Sequence, residues 1–503
     1  MTFYNIFLVF VLAVAITTGL AAEVKVESSI YKVIEETGKA NIFVSFKKND
    51  IHSIRNQITV QKHVTRGDRI NSLQEALKNH ADTTQSGVLK AINSYRPLQN
   101  NPTVEISSFW ITNQVYIKHA DRNLVEQLST LDDISEITQE KIFSIKNPLR
   151  NLTEVRNSSA EPQWGVAAIR APEVWASGNA GSGVVVATID TGVRGTHEAL
   201  RDGFRKEKGW YDPIYGTLAP TDVDGHGTHV TGTIVGRTLG IGVAPGAQWI
   251  ACRASDNDGN FPASAIIACA EWVACPYDSN GLKNCSLAPD VINNSWGGDR
   301  EFTDLDYLIE MWESIGITVV FAAGNSGSGC GTVSSPGTHP KVISVGAIDE
   351  NSRVTSFSSR GPSKLYGTVQ PNVAAPGSKI FSASNSDDGV YKEMMGTSMA
   401  APHVAGLAVL LKSARSNLTV SQIRRLIVVG AQPTVVSGQV CNGINDRQYP
   451  NNVVGNGKID APLSIAAIGT VGSSSLKVAA ILKYREFSAV SLLVLLTLKC
   501  LVL

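Results

Sequence analysis

Short apolar runs alternate with helical stretches from residue 164 onward, and this alternation restricts the possible fold more than any other feature of the chain. Continuous short runs of Val, Ile and Ala are typical of strands that are buried on both faces, as in parallel sheets. Helical stretches at residues 226–235, 263–273 and 305–315 separate the runs. The pattern predicts an α/β fold, with a mostly parallel sheet that carries helices on both faces. The runs are residues 183–189, 249–253, 290–293, 318–322 and 342–345.

Residues 22–160 have a different pattern, with more charged residues and less glycine. Their apolar spacing predicts strand, helix, hairpin, helix and strand in that order, which is typical of a small α+β (ferredoxin-like) domain. Asp121 is the expected N-cap of the second helix. The polar segment that follows, residues 147–160, has the composition of a linker that is readily cut. The predicted elements are residues 40–46, 71–92, 104–117, 121–131 and 134–142.

Both ends of the chain carry apolar segments. Residues 6–16 are almost continuously apolar, and Gly19 and Ala21 are small, which predicts a signal peptide at residues 1–21. The first five residues lack the usual Lys or Arg, so an uncleaved anchor helix is the alternative. At the other end, small residues at 472–475, a spacer and an apolar stretch at 488–503 fit a GPI signal, a tail anchor or an ordinary hydrophobic terminus.

In a secreted protein, cysteines can form disulfides and N-x-S/T sequons can be glycosylated. Seven cysteines fit an oxidising compartment, and none has a partner at zinc-ligand spacing. Six of them would form three disulfides, with free buried thiols as the alternative, and those six are Cys252, Cys269, Cys275, Cys285, Cys330 and Cys441. The glycosylation candidates are Asn151, Asn157, Asn284 and Asn417, whereas the sequon at Asn293 lies in a predicted buried strand.

Three segments carry residues suited to hydrolytic chemistry. Asp190 ends an apolar strand and precedes a Thr-Gly turn, at the strand end where open α/β sheets place their sites. His226 stands between glycines that let a backbone approach, at the start of a predicted helix. Ser398 starts another predicted helix, whose first N–H groups can hold an oxyanion once a base activates the hydroxyl. Each segment alone also has an ordinary interpretation: a turn Asp, a metal-binding or surface pair of His226 and His229, and a helix N-cap.

Taken together, in the order Asp, His and Ser, the segments resemble those of the subtilisin-type peptidases (subtilases). The matching motifs are D-T-G at residues 190–192, D-G-H-G-T-H at 224–229 and G-T-S-M-A-A-P at 396–402, and the similarity covers residues 163–468. The resemblance implies that Ser398 is the nucleophile, His226 the general base and acid, and Asp190 the residue that orients His226. It also implies that Asn325, in A-A-G-N, donates to the oxyanion.

The same resemblance implies a substrate groove lined by neutral residues. Protein and peptide substrates would pair with its edge as an added strand. Residues 332–337 resemble the floor of the pocket for the residue before the cleaved bond, and because they include no acidic residue we expect a broad or apolar preference there. The expected groove residues are Gly259, Asn260, Ser295, Trp296, Gly297, Ala323, Gly324 and Ser334.

The chain departs from the subtilase pattern where many members of the family hold calcium. An Asp ligand is replaced by Ala199, a Gln ligand falls near Ala160, and the loop at residues 236–240 is short. We therefore expect no strong calcium site and no required cofactor, and weak calcium binding elsewhere stays open.

Subtilases are made with a propeptide that templates folding and inhibits the site, and residues 22–160 resemble one in position and architecture. The resemblance implies a propeptide at 22–160 and a catalytic domain at 161–468, between the predicted signal peptide at 1–21 and a tail at 469–503. We expect a monomeric zymogen, secreted or held at the cell surface, that removes its own inhibitory propeptide near residues 151–160. The propeptide also contains Arg66-Gly67-Asp68, which is either an integrin-binding motif or, more simply, a solvated turn.

Other classes of protein are disfavoured on specific grounds. Basic and acidic side chains number 44 each, so the chain offers no broad cationic surface to nucleic acid. An inactive peptide-binding surface protein of the same fold would usually lack a triad residue, and all three are present. An acid-acting serine-carboxyl peptidase would carry Glu in place of His226. Covalent labelling by a fluorophosphonate, lost in Ser398→Ala, distinguishes these alternatives.

Overall fold

The computed structural model describes residues 24–98, 104–145, 154–155 and 162–470. The predicted signal peptide, the apolar tail and the sequons at Asn151 and Asn157 lie outside the described residues. The chain divides into two compact units, each assembled from separated segments. Among the described residues, the smaller comprises residues 24–49, 83–98, 104–108 and 114–139, and the larger comprises residues 50–82, 109–113, 140–145, 154–155 and 162–470.

The first third of the chain contains the predicted strands and helices and, in addition, two short strands and two helices that the apolar pattern did not indicate. The elements are β1 (Lys25–Val26), α1 (Ser28–Thr37), β2 (Ala40–Phe46), α2 (Ile51–Val60), α3 (Arg66–Leu98), β3 (Glu105–Phe109), β4 (Gln114–Ala120), α4 (Arg122–Ser129), β5 (Ile134–Gln139), β6 (Ile142–Ser144) and β7 (Glu154–Val155). The unpredicted ones are β1, α1, α2 and β7, of which β7 lies in the segment that was interpreted as a linker.

The smaller unit contains a five-stranded sheet in the order β1-β5-β2-β4-β3. Strand β2 has the predicted bounds and runs antiparallel to both β4 and β5, with Ile42 and Val44 fully buried. Asp121 caps α4 as predicted, because its Oδ1 accepts a hydrogen bond of 2.9 Å from the amide of Leu124. The predicted closing strand is interrupted: β5 ends at Gln139, and β6 belongs to the larger unit.

The larger unit holds the remaining elements. Three short 3-10 helices, at Arg201–Gly203, Cys285–Leu287 and Ala467–Thr470, accompany them. The strands and helices are α5 (Trp164–Ala168), α6 (Ala171–Ala176), β8 (Val185–Asp190), β9 (Trp210–Tyr211), α7 (His226–Val235), β10 (Gln248–Arg253), β11 (Asn260–Pro262), α8 (Ala263–Ala274), β12 (Val291–Asn294), α9 (Asp306–Ser314), β13 (Thr318–Ala322), β14 (Ile343–Ile348), β15 (Val373–Pro376), β16 (Ile380–Ala383), β17 (Tyr391–Met394), α10 (Thr397–Ala414), α11 (Val420–Gly430), β18 (Val440–Cys441), β19 (Ile444–Asn445) and α12 (Ala461–Ala466).

A seven-stranded sheet in the order β15-β14-β13-β12-β8-β10-β9 forms the centre of this unit, and neighbouring strands pair in parallel. The predicted α/β fold is therefore confirmed, with β9 and β15 as strands that the sequence pattern missed. From β8 the chain adds β10 on one side and then returns to add β12 on the other. Such a reversal leaves a crevice at the carboxyl ends of the central strands, where ligands bind in open α/β sheets.

Helix α10 is the buried helix of this unit. It packs against α7 and against strands β12 to β15, and its apolar side chains, including Leu407 and Leu410, are fully buried. A helix that is apolar around its whole circumference must be enclosed by protein. Its first turn is thereby held rigidly among the central strands of the sheet.

The six cysteines of the larger unit form three disulfides, as expected. Cys252–Cys269 joins β10 to α8, Cys275–Cys285 closes a loop after α8, and Cys330–Cys441 links positions 111 residues apart. Cys500 lies outside the described residues. Within the described part of the chain, none of the helices combines the length and apolarity needed to cross a bilayer.

Candidate active site

Asp190 and His226 meet at the carboxyl end of β8. Asp190 is the last residue of that strand and His226 is the first residue of α7, and their side chains are 1% and 0% exposed. His226 Nδ1 lies 2.8 Å from Asp190 Oδ1. Gly225 precedes the helix with φ +93°, and a Cβ there would approach Asn385 Oδ1 to 2.1 Å, so only glycine fits this turn.

A second buried carboxylate, Asp222, holds these two residues in register. Its Oδ1 accepts hydrogen bonds from the Thr191 hydroxyl at 2.9 Å and from the Gly225 amide at 2.8 Å. Its Oδ2 accepts from the amide of Thr228 at 2.9 Å and from the hydroxyl of Thr228 at 2.6 Å. Asp222 therefore joins the turn after β8 to the first turn of α7. The sequence reasoning missed this residue, although an Asp four positions before a helix-starting His was visible.

Ser398 lies in the first turn of α10, 3% exposed, and is bonded twice to Ser295. Its Oγ donates to the Ser295 carbonyl oxygen at 3.0 Å, and the Ser295 hydroxyl donates to the Ser398 carbonyl oxygen at 2.9 Å. The second bond has a reason in the sequence. Pro402, four residues further along α10, has no N–H to bond the Ser398 carbonyl, which leaves that oxygen for Ser295.

Asn325 follows the carboxyl end of β13 and is oriented by the residue before Ser398. Its Oδ1 accepts from the amide and from the hydroxyl of Thr397, each at 2.9 Å. With the oxygen held by these donors, the Nδ2 end of the amide is turned away from Thr397. Thr397 is a second residue that sequence reasoning missed, because only its side-chain contact reveals this role.

His226 Nε2 and Asp190 Oδ2 have no hydrogen-bond partner among the described residues. In the structure the Ser398 hydroxyl donates to Ser295, so His226 and Ser398 are not bonded to each other. Asn293, buried in β12, donates through Nδ2 to the Ser295 hydroxyl at 2.9 Å, which excludes it as a glycosylation site.

Most of the expected groove residues line one cleft with Ser398. Ala323 is an exception: it is fully buried behind the cleft wall, and its carbonyl accepts from the Ser334 amide at 2.9 Å. Gly259, with φ +80°, and Asn260 lie at the groove edge around β11. The cleft is lined by Ser144, Ser295, Trp296, Gly297, Ala322, Gly324, Asn325, Ser334, Thr397 and Ser398. This set contains no acidic residue.

The chain's own segment Ile142–Ser144 occupies this groove as strand β6. It pairs antiparallel with β11, with Phe143 opposite Phe261, and Ser144 forms a further antiparallel bridge with Gly297. The Phe143 ring packs edge-on against Trp296 and Phe302 at centroid distances of 6.0 and 4.8 Å. Sequence reasoning placed the end of a strand at residue 142 and did not foresee this position.

His229, one turn after His226, is a buried structural residue. Its Nε2 lies 2.8 Å from the carbonyl oxygen of Ile380 and 3.1 Å from that of Lys392, so the ring N–H donates to the β16–β17 hairpin. Burial, with the nearby charge of Lys392, lowers the pKa of His229 to about 3. His229 is therefore neutral at pH 7 and fixes the orientation of α7.

The remaining expectations concern metal ions and glycosylation. Among residues 24–98, 104–145, 154–155 and 162–470, no three His, Cys, Asp or Glu side chains cluster as a metal site would require. Of the described sequons, Asn417 is exposed, and Asn284 is half-buried with its Oδ1 accepting from Ser286. Both remain predicted glycosylation sites.

Comparison with known proteins agrees with the geometry. The Subtilase family profile matches residues 181–457. Bacillopeptidase F of Bacillus subtilis is 32% identical over 481 residues, which is 88% of this chain but only 32% of that protein. Subtilisin DY of Bacillus licheniformis is 38% identical over 266 residues, 52% of this chain and 88% of that protein. Because the family profile covers more than half of the chain, and the match to Subtilisin DY spans most of that protein, the chain belongs to the subtilase family of serine peptidases.

Proposed function

We propose that this protein is a secreted serine endopeptidase, made as a zymogen, that hydrolyses peptide bonds through Ser398, His226 and Asp190. The observation that carries the proposal is the buried 2.8 Å contact between His226 Nδ1 and Asp190 Oδ1, together with Ser398 in the first turn of α10 on the cleft. Catalysis of this kind needs no metal or organic cofactor.

The hydrogen-bond partners of His226 support these roles. Asp190 accepts the Nδ1 proton of His226, and this leaves Nε2, which has no partner among the described residues, as a proton acceptor. For the first step the Ser398 hydroxyl turns from the Ser295 carbonyl toward Nε2. The bond from Ser398 Oγ to the substrate carbonyl carbon forms as the hydroxyl proton passes to Nε2.

The second half of the reaction returns that proton. The C–N bond of the substrate breaks as His226 protonates the leaving amine, and water then hydrolyses the acyl-enzyme by the same proton path. The oxyanion formed in each step would accept from Asn325 Nδ2 and from the Ser398 amide. That amide lies in the first turn of a helix, where N–H groups have no intrahelical acceptor.

Strand β6 supports a substrate that binds as an added strand. A substrate in its place would use the same backbone groups of β11 and Gly297, and an aromatic or aliphatic side chain would take the position of Phe143 against Trp296 and Phe302. The neutral cleft around Gly324 and Ser334 favours a broad or apolar preference immediately before the cleaved bond. Cleavage of peptide libraries mainly after Lys or Arg would contradict this preference.

The same strand supports the zymogen proposal, since a segment of the chain that precedes the catalytic domain fills the groove. Removal of the propeptide near residues 151–160 would open it. Secretion as a monomer, with or without attachment at the cell surface, completes the proposal and is consistent with the three disulfides.

The proposal is tested with the purified, processed protein and a fluorophosphonate probe. We expect covalent labelling and hydrolysis of an unfolded protein substrate, both absent from Ser398→Ala, and accumulation of the uncut precursor in that variant. A wild-type protein that neither labels nor cleaves, or a Ser398→Ala chain that matures unaided, would contradict the function or the self-processing respectively.

A further inference from the structure

The loop closed by the Cys275–Cys285 disulfide, with the residues that follow it to Asp290, carries contacts that the proposed chemistry does not use. We call residues 275–290 the docking loop. It shares no residue with the cleft that Ser398 lines. The first half of helix α3 packs on it, and both segments belong to the larger compact unit.

The contacts follow one face of α3. A Cβ at Gly67 would lie 2.8 Å from the Cβ of Ser286, so the two backbones meet where only glycine leaves enough room. One and two turns further along, Asn71 Oδ1 lies 3.7 Å from Cys285 Sγ, and Gln74 Oε1 accepts from Lys283 Nζ at 2.6 Å. Spacing of three and four residues places these side chains on a single helical face.

Arg66 is the anchor of this face. Its Nε donates to the carbonyl of Ile315 at 2.9 Å, Nη1 to that of Ala288 at 3.1 Å and Nη2 to that of Pro289 at 2.6 Å. Asp290 Oδ1 lies 3.8 Å from Nη1. A guanidinium that donates to three backbone carbonyls makes charge-assisted hydrogen bonds in a fixed geometry, which lysine cannot reproduce.

The Arg-Gly-Asp tripeptide is therefore used within the chain. Arg66 and Gly67 contact the docking loop, and Asp68 accepts at the start of α3 from the amide and hydroxyl of Thr65, at 3.0 and 2.8 Å. The sequence interpretation of a solvated turn is wrong for Arg66. A tripeptide engaged in this way does not present its Arg to a receptor.

A second arginine extends the contact to α9. Arg55, in α2, is only 4% exposed and its Nη2 lies 2.6 Å from Glu310 Oε2. Because Arg55 is the buried partner, loss of Glu310 would leave the Arg55 charge poorly solvated. Residues 51–78 thus hold the catalytic part of the chain by arginine contacts on α9 and the docking loop.

We propose that the docking loop and Glu310 form a recognition surface for the chain's own residues 51–78, and that this surface keeps the propeptide bound after the chain has been cut. The inference rests on the proposed function for its biological meaning, because it makes the cut zymogen latent. Two attachments through one polypeptide, at the cleft and at the docking loop, raise the effective concentration of each. Loss of one attachment therefore shortens the life of the complex without altering the mature enzyme.

The test uses the full chain with Ser398→Ala and a recognition sequence for a site-specific protease inserted between residues 147 and 153. After the added protease cuts it, the half-life of the two-fragment complex is followed by size-exclusion chromatography. We expect Arg66→Ala to shorten that half-life about tenfold or more, and Lys62→Ala, which removes an equal charge from an exposed neighbouring site, to leave it unchanged.

Lys283→Ala, on an exposed side chain of the docking loop, is the second variant in case Arg66→Ala does not fold. It should shorten the half-life by about two- to fivefold. Half-lives in both variants equal to that of Lys62→Ala would overturn the proposal. Because the cut is made by an added protease, a wild-type protein without peptidase activity would refute the proposed function and leave this measurement intact.

Discussion

The two halves of the candidate active site are held together by different kinds of bonds. On the side of Asp190 and His226, the carboxylate of Asp222 accepts hydrogen bonds from Thr191, Gly225 and Thr228. On the side of Ser398, the bonds are neutral ones between hydroxyls, amides and carbonyls.

The difference predicts which side chains matter mainly for stability and which matter mainly for catalysis. A buried carboxylate with four donors is costly to replace, since the donors lose their acceptor inside the protein. The neutral bonds around Ser398 and Asn325 are individually worth about 1 kcal/mol, so side chains there can change with little loss of stability. We therefore expect substitutions on the serine side to change activity alone, and substitutions of Asp222 to change stability first.

The largest effect is expected for Asp190→Asn. At pH 7 it should lower kcat/KM about 10⁴-fold, because an amide does not hold the proton on His226 Nδ1 as a carboxylate does. Hydrolysis of a chromogenic peptide measures this loss after an added protease has removed the propeptide, because the variant would not process itself. A loss below tenfold would show that Asp190 does not orient the base.

Asn325→Ala should come next, with a loss of about 10²–10³-fold in kcat and a small change in KM. The amide would then no longer donate to the oxyanion, while Thr397 remains in a helix held by its own packing. Thr397→Val is the matched variant, since it removes one of the two bonds that orient Asn325 and should cost less. Equal losses in the two variants would contradict a direct role for Asn325.

Asp222→Asn tests the other side through stability. We expect the free energy of unfolding to fall by about 2–3 kcal/mol, because the amide nitrogen faces donors in place of an acceptor. Urea unfolding in the Ser398→Ala background, which avoids self-digestion, measures it. Asp202→Asn, at an exposed carboxylate, is the control, and an equal effect of the two substitutions would remove the distinction between the halves.

The smallest effect is expected in the loss of stability at acidic pH. His403, buried in α10, lies with Nδ1 2.8 Å from the carbonyl of Met399, and burial lowers its pKa to about 4. The pKa of His403 is therefore lower in the folded protein than in the unfolded chain, where it is about 6.5. The folded state is most stable above pH ~6.5 and loses stability as the pH falls toward 4, because the unfolded chain takes up the proton first.

His403→Gln keeps an N–H donor but cannot take up the proton. The loss of stability between pH 7 and pH 5 should therefore be smaller in this variant by about 1–2 kcal/mol. Thermal unfolding of Ser398→Ala chains at the two pH values measures it, with His63→Gln, at a partly exposed site, as the control. An unchanged pH dependence in His403→Gln would show that folding does not lower the pKa of this histidine.

Much of the fold was predictable because its strands are buried on both faces. Runs such as β13 and the helix that begins at His226 have the predicted bounds, since a continuous apolar run or a Gly-flanked start leaves a local mark. β9 was missed because it has only two residues, and β15 because three of its four residues are Ala or Pro, which are uncommon in strands. Helix α1 was missed for a related reason, because its buried side chains, Ile30 and Ile34, belong to a short segment.

The candidate site divides in the same way. The motifs around Asp190, His226 and Ser398 could be recognised from the sequence because each turn requires particular residues locally, such as the glycine at φ +93° before His226. Asp222 and Thr397 were not, because their importance lies in which donors and acceptors meet in space. Ser144 was not, because its place in the cleft depends on a pairing with Gly297 over 150 residues away.

The sequence by itself thus determined the parallel sheet, the family and the identity of the three candidate catalytic residues. These features depend on the apolar pattern and on turn residues, which can be recognised in short consecutive segments. Only the tertiary structure decided that Asp222 joins two of them, that Ile142–Ser144 fills the groove and that Arg66 binds three carbonyls of the catalytic part. Those arrangements depend on hydrogen-bond partners that come together only when distant segments pack.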